Sequence, residues 1–123
     1  MKITLLTEES IRLEFVADGL TIEASTAEQQ YSPFHMLGSS LGLCTFSVLY
    51  AWAETAALTV DDLVIEVSWS FVEEPHRVGE MKLHFAWPSL PEKRLEAAKR
   101  AAALCAVHAT LEHPPRITIE GSR

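Results

Sequence analysis

The side chains best suited to redox or nucleophilic chemistry are two cysteines, Cys44 and Cys105. A cysteine attacks as its thiolate, and two thiols become a redox couple when their Cα atoms come within about 4.4–6.8 Å. These two lie too far apart in the chain for a CxxC pair, so only tertiary packing can join them. Each sits among small residues: Gly38, Ser40 and Gly42 around the first, Ala101, Ala102 and Ala106 around the second. Such residues permit two helices to approach closely. The competing reading is two inert core cysteines, because free cysteine is among the most buried residue types. His108 follows Cys105 at i+3 and would share its helical face. It is either one half of a Cys–His pair or a half-buried, capped histidine. His35, near the start of a helix, is either a polar site group or a packing residue. A zinc site built from the cysteines and a histidine would lack the usual close-spaced ligand pairs. No metal and no organic cofactor is expected.

The elements that must position these residues are legible as periodicities. Ile3 and Leu5, then Ile11, Leu13 and Phe15, then Leu20, Ile22 and Ala24 alternate with polar neighbours, which predicts three strands with one buried face. Asp18-Gly19, between the second and third runs, predicts a hairpin turn. The same alternation puts Arg12, the only arginine in this region, on the polar face opposite Ile11 and Leu13. Ser32-Pro33 predicts a helix start, and the helix should run to about Ala57 with Cys44 at its middle. Leu63 to Phe71 and Met81 to Trp87 alternate again and read as a long hairpin. Ser89-Leu90-Pro91-Glu92 fits a capping box opening a second long helix, with Cys105 inside it and Pro114-Pro115 ending it. Arg116 to Glu120 reads as a last strand. The order is βββ-α-ββ-α-β. With helices segregated from antiparallel strands, that is α+β, one domain over residues 1–123.

Composition narrows the partners. The formal net charge of −7 argues against phosphate-backbone binding, which needs a basic surface. Met1 to Leu6 is too short for a signal peptide and lacks its cleavage pattern. Two cysteines make a poor secreted disulfide framework, so a reducing, cytoplasmic compartment is expected. Phe34 to Ala53 carries no Asp, Glu, Lys or Arg and is long enough to span a bilayer. Its glycines and serines, and the lack of basic flanks, point instead to a helix buried on most sides. A chain this small cannot cover all of that helix itself. The remainder predicts a homodimer centred on it.

Ser32-Pro33, Met36-Leu37 and Leu41-Gly42-Leu43-Cys44-Thr45 resemble the first-cysteine helix of the OsmC/Ohr family, the osmotically induced protein C and organic hydroperoxide resistance proteins. Leu104-Cys105-Ala106-Val107-His108 is similar to its second-cysteine segment, and the element order matches over nearly the whole chain. The resemblance implies an intertwined homodimer with central cysteine-bearing helices packed on antiparallel sheets. It implies a thiol-dependent peroxidase, acting on organic or inorganic hydroperoxides, with Cys44 as attacking and Cys105 as resolving thiol. An external dithiol, often lipoyl-type in the family, would restore both thiols. Arg12, His35 and His108 are the candidate supporting residues. The chain departs from the family pattern at two places: Phe34 stands after Pro33 where the family carries a glutamate, and Ala106 stands after the second cysteine where proline is common. These departures feed an alternative expectation, a redox-quiet OsmC-like domain binding a small apolar molecule at the dimer interface.

Overall fold

Alternation dictates the sheet. In the computed structural model, which describes residues 1–17 and 19–123, β1 (Lys2–Thr7), β2 (Ser10–Glu14) and β4 (Val64–Val72) turn Ile3, Leu5, Ile11, Leu13, Ile65, Val67 and Trp69 inward. Their neighbours Arg12 and Glu66 turn outward, where the Arg12 Nη2 lies 2.7 Å from the Glu66 Oε1. The expected long hairpin forms between β4 and β5 (Arg77–Ala86), pairing Val67 with Leu83 and Trp69 with Met81. The sheet has five strands; with β3 at Thr21–Ala24, their order is β3-β1-β2-β4-β5.

β3 (Thr21–Ala24) departs from the expected hairpin. It runs parallel to β1, with Ile3 level with Ile22, and does not pair with β2. The reason is edge availability: the second side of β2 is occupied by β4, with Ile11 level with Val67. The chain must therefore cross to the open side of β1, which it meets in the parallel sense. The sheet is mixed, not purely antiparallel. The turn expected at Asp18-Gly19 involves Asp18, which lies outside the described residues.

One long helix, α1 (Pro33–Thr55), covers the inner face. Ser32 caps it and Pro33 occupies its first turn, as its sequence predicts. Gly38 and Gly42 do not serve helix–helix approach, as expected from sequence; they bring α1 onto the sheet. A Cβ at Gly38 would stand 2.8 Å from the Trp69 ring, and one at Gly42 2.8 Å from Leu13 Cδ1. The smallness that admits the neighbouring helix is instead that of Ala98 and Ala101, both buried. α1 is long and apolar enough to cross a membrane, yet only 44% of its most apolar 18-residue window is buried within the chain. Met36, Ser40, Leu43, Ser47 and Tyr50 form an exposed stripe along it. Their 4-3-4-3 spacing is that of a coiled-coil seam.

The second half of the chain corrects three expectations. Ser89 does not cap a helix, because Asp62 takes both its groups: the Ser89 N–H donates to Asp62 at 2.6 Å and its hydroxyl at 2.7 Å. The long helix is broken into a 3-10 turn at Glu92–Arg94, α2 (Leu95–Ala102) and α3 (Ala106–Glu112). Cys105 is therefore not inside a helix. It lies in the break with extended backbone, φ −61° and ψ 124°, as the N-cap of α3. Finally, residues 116–120 form no strand, and Ile117 and Ile119 stand 82% and 93% exposed.

Candidate thiol site

The helical break explains how two distant cysteines meet. Cys105 is fully buried, and its sulfur accepts the His108 N–H at 3.4 Å, the capping contact that starts α3. On its other side the Cys105 thiol points to the Leu41 carbonyl at 4.0 Å. That carbonyl belongs to the α1 turn that carries Cys44. Cys44 is half-buried, at the border between the face covered by α2 and α3 and the exposed stripe. The structure thus brings Cys44 and Cys105 together across the α1–α3 contact, with both thiols free.

The surroundings of Cys44 act on its thiol in two opposed ways. Without a visible cation it would be expected to titrate at or above the ordinary thiol value. Burial does push it up. The Cys105 thiol and the backbone N–H groups of Val107 and Ala106 outweigh that and hold Cys44 below the ordinary value. A donor that bonds the thiolate favours ionisation whether or not it carries a charge. These backbone donors were invisible in the sequence, since any residue type supplies an N–H. Their only trace is the placement of Cys105 as a cap, which a reading of one continuous helix conceals.

The supporting residues sort differently from expectation. Arg12 does not approach Cys44 within the chain. It donates through Nε at 2.9 Å and Nη2 at 2.7 Å to Glu66 on the outer face of the sheet, with α1 on the other side. His35 is 3% exposed and both its ring nitrogens are engaged. Nδ1 accepts the Ser32 N–H at 3.1 Å, which places the proton on Nε2, where it is donated to the Thr7 carbonyl at 3.0 Å. The ring also meets Trp69 edge-on at 5.2 Å. This histidine closes the capping box of α1 and ties the helix start to β1. His35→Ala should therefore lower stability by about 2–3 kcal/mol through the lost cap and the orphaned groups, read by urea denaturation. The reactivity of Cys44 per folded molecule should not change; a selective loss of thiol reactivity would return His35 to the site. His108 contributes its backbone N–H to Cys105, while its Nε2 lies 3.1 Å from Glu112 Oε1.

An open, mainly apolar groove of about 850 Å³ runs between β5 and the helices. Leu37, Leu41 and Thr45 line it from α1, Met81, Leu83 and Phe85 from β5. Neither cysteine is part of its wall; His108 and Ala102 line it from the second half of the chain. Sequence reasoning missed it, because β5 reads as an ordinary buried strand and nothing in its pattern marks the inner face as half-covered.

Comparison with known proteins agrees with this fold. The OsmC-like protein family matches residues 25–120, from the end of β3 through both cysteine segments. A crystal structure from Psychrobacter arcticus 273-4, of a protein named for osmotic stress induction and a detoxification response, superposes with a TM-score of 0.62 at 21% identity. The match covers 68% of this chain and 62% of that one, less than two thirds of its length. No curated protein matches the chain. The extent of the family match, on an α+β fold that joins the two cysteine segments, places this chain in the OsmC-like protein family.

Proposed function

We propose that the chain is a thiol-dependent peroxidase of the stress-response type, reducing organic or inorganic hydroperoxides. The observation that carries the reading is the packing of the buried Cys105, the N-cap of α3, against the α1 turn that carries Cys44, with both thiols free; the Cys105 thiol and the N–H groups of Val107 and Ala106 favour a lowered Cys44 pKa. The Cys44 thiolate attacks the terminal peroxide oxygen. The O–O bond breaks, the departing alkoxide takes a proton and leaves as alcohol (water, for hydrogen peroxide), and Cys44 becomes a sulfenic acid. Cys105 then attacks the sulfenic sulfur, the hydroxyl leaves as water, and a Cys44–Cys105 disulfide remains. An external dithiol, lipoyl-type in chemistry, exchanges with that disulfide and restores both thiols. A reducing compartment, the cytoplasm, suits this cycle.

The functional unit in this reading is a homodimer. The exposed stripe Met36, Ser40, Leu43, Ser47, Tyr50 is self-complementary by spacing, and its two serines permit close approach of a second α1. Cys44 borders that stripe, so the second copy would cover its open side.

The test is thiol titration of the folded protein before and after one equivalent of cumene hydroperoxide. Both thiols should disappear and both should return with excess dihydrolipoate. Two thiols that survive excess peroxide would sink the peroxidase. The groove favours one second reading, a redox-quiet OsmC-like domain that binds a small apolar molecule at the dimer interface. It predicts saturable binding of an apolar fluorophore to a protein whose thiols survive.

A further inference from the structure

Cys105 carries two duties that the peroxide cycle sets against each other. In the reduced protein its sulfur is the N-cap of α3, accepting the His108 N–H at 3.4 Å. In the cycle the same sulfur must come within bonding distance of Cys44. The two partners of that bond are not equally free to move. Cys44 rides on α1, a helix of 23 residues. Gly38 and Gly42 seat that helix on the sheet so closely that an added Cβ would strike Trp69 or Leu13. Cys105 lies in the break between two short helices. α3 has seven residues and buries none of them, and Val107 is the one that packs against the core. Its side-chain contacts, Thr110 to the Ala106 carbonyl and His108 to Glu112, stay within the helix. A helix this short does not hold itself in water. Its cap is one of the few bonds that secure its first turn.

We propose that disulfide formation withdraws the cap, so that the first turn of α3 unwinds when Cys44 and Cys105 are joined and refolds when they are reduced. The inference rests on the Cys44–Cys105 disulfide of the reading under Proposed function and gives that cycle a gate. The sulfenic acid of Cys44 and the thiol of Cys105 yield the disulfide and water. A dithiol returns both thiols and itself becomes a cyclic disulfide. That exchange requires access to a sulfur, and Cys105 is fully buried in the reduced protein. Closure of the bond falls to the softer side, so Cys105 leaves the His108 N–H while α1 stays in place. The turn that held the sulfur from the α3 side then loosens and uncovers the disulfide. The site opens to a dithiol while it holds something to reduce, and closes again over two thiols.

Hydrogen exchange of the full chain, read by mass spectrometry, tests the switch in two redox states. One is fully reduced. In the other the disulfide is made with diamide, which couples thiols without a peroxide step. Amides of α3 should exchange about fivefold faster in the disulfide form, the effect of losing one cap. Those of α1 and β4 should keep their protection. Cys105→Ala has no cap acceptor and should match the disulfide form in α3. Cys105→Ser keeps a preferred cap and cannot couple to Cys44, so it should match the reduced form and ignore diamide. An α3 equally protected in both redox states would overturn the switch and leave the peroxidase standing. Thiols that diamide cannot couple would overturn the switch together with the resolving step. If peroxide spares the thiols while the diamide-made disulfide loosens α3, the switch holds and the peroxidase reading fails.

Discussion

Cys44→Ser should abolish peroxide consumption, lowering the turnover by several orders of magnitude, because a serine hydroxyl is not ionised and has no base beside it. Its fold should be unaffected, since the side chain is half-buried and the change removes no packing volume of note. Cys105→Ala separates two roles that the proposed cycle assigns to one residue. As resolver, Cys105 acts after the first oxidation, so its loss would stop turnover but spare a single oxidation of Cys44. As hydrogen-bond donor, it also helps hold the Cys44 thiolate. Losing a stabiliser of the charged form raises the pKa, so at neutral pH the single oxidation itself should slow. The sign is fixed by the lowering of Cys44. Its alkylation rate should rise with pH and reach half-maximum below the midpoint of an ordinary exposed thiol. In Cys105→Ala that midpoint should move up. Iodoacetamide kinetics on the folded protein read both; a wild-type midpoint at or above the ordinary value would remove the activation described here.

How much of this was legible beforehand follows from what kind of interaction decides each feature. Local periodicity decides the strands and α1. Ile11-Arg12-Leu13 and Ile65-Glu66-Val67 announce one buried face, and Ser32-Pro33 announces a helix start. Those elements stand where the sequence puts them. Arg12 was legible in the same way, as an outward residue, although the resemblance drew it toward the site; its Glu66 partner is 54 residues away and had no local sign. Competition between elements decides the rest. β3 joins β1 because β4 holds the second edge of β2. Ser89 fails to cap because Asp62, on another segment, anchors its N–H and hydroxyl, and the first helical turn begins only after Pro91. The same kind of competition hides the thiol site. A run of alanines up to Cys105 reads as continuous helix by propensity, but the chain breaks where the Cys105 side chain is fully buried against α1. That break exposes the N–H groups of Ala106 and Val107 toward Cys44. The cysteines were legible as residue types, and their activating donors were not, because the donors are backbone.

The close seat of α1 on the sheet carries the largest stability prediction. Gly38→Val should destabilise the fold by about 3 kcal/mol, the upper part of the usual overpacking range, and lower the melting temperature by roughly 10 °C. The added Cβ would stand 2.8 Å from the Trp69 ring and 3.4 Å from Ile11 Cδ1. Trp69 cannot give way cheaply, being 5% exposed, paired through its strand with Met81 and packed edge-on against His35. Helix propensity opposes the clash by up to about 1 kcal/mol for Gly→Ala and by less for Val, so the steric term wins. Gly42 gives a graded comparison. Its hypothetical Cβ also comes to 2.8 Å, but from Leu13 Cδ1, the free end of a flexible side chain. Gly42→Ala should therefore cost less than Gly38→Ala, the propensity gain offsetting most of the crowding. Gly121→Val, with nothing within 4 Å of its Cβ, should leave the melting temperature unchanged and serves as the control. Calorimetry of the four variants orders them. If Gly38→Val melted with the wild type, α1 would have to sit farther from β4, and the turn that presents Cys44 would move with it.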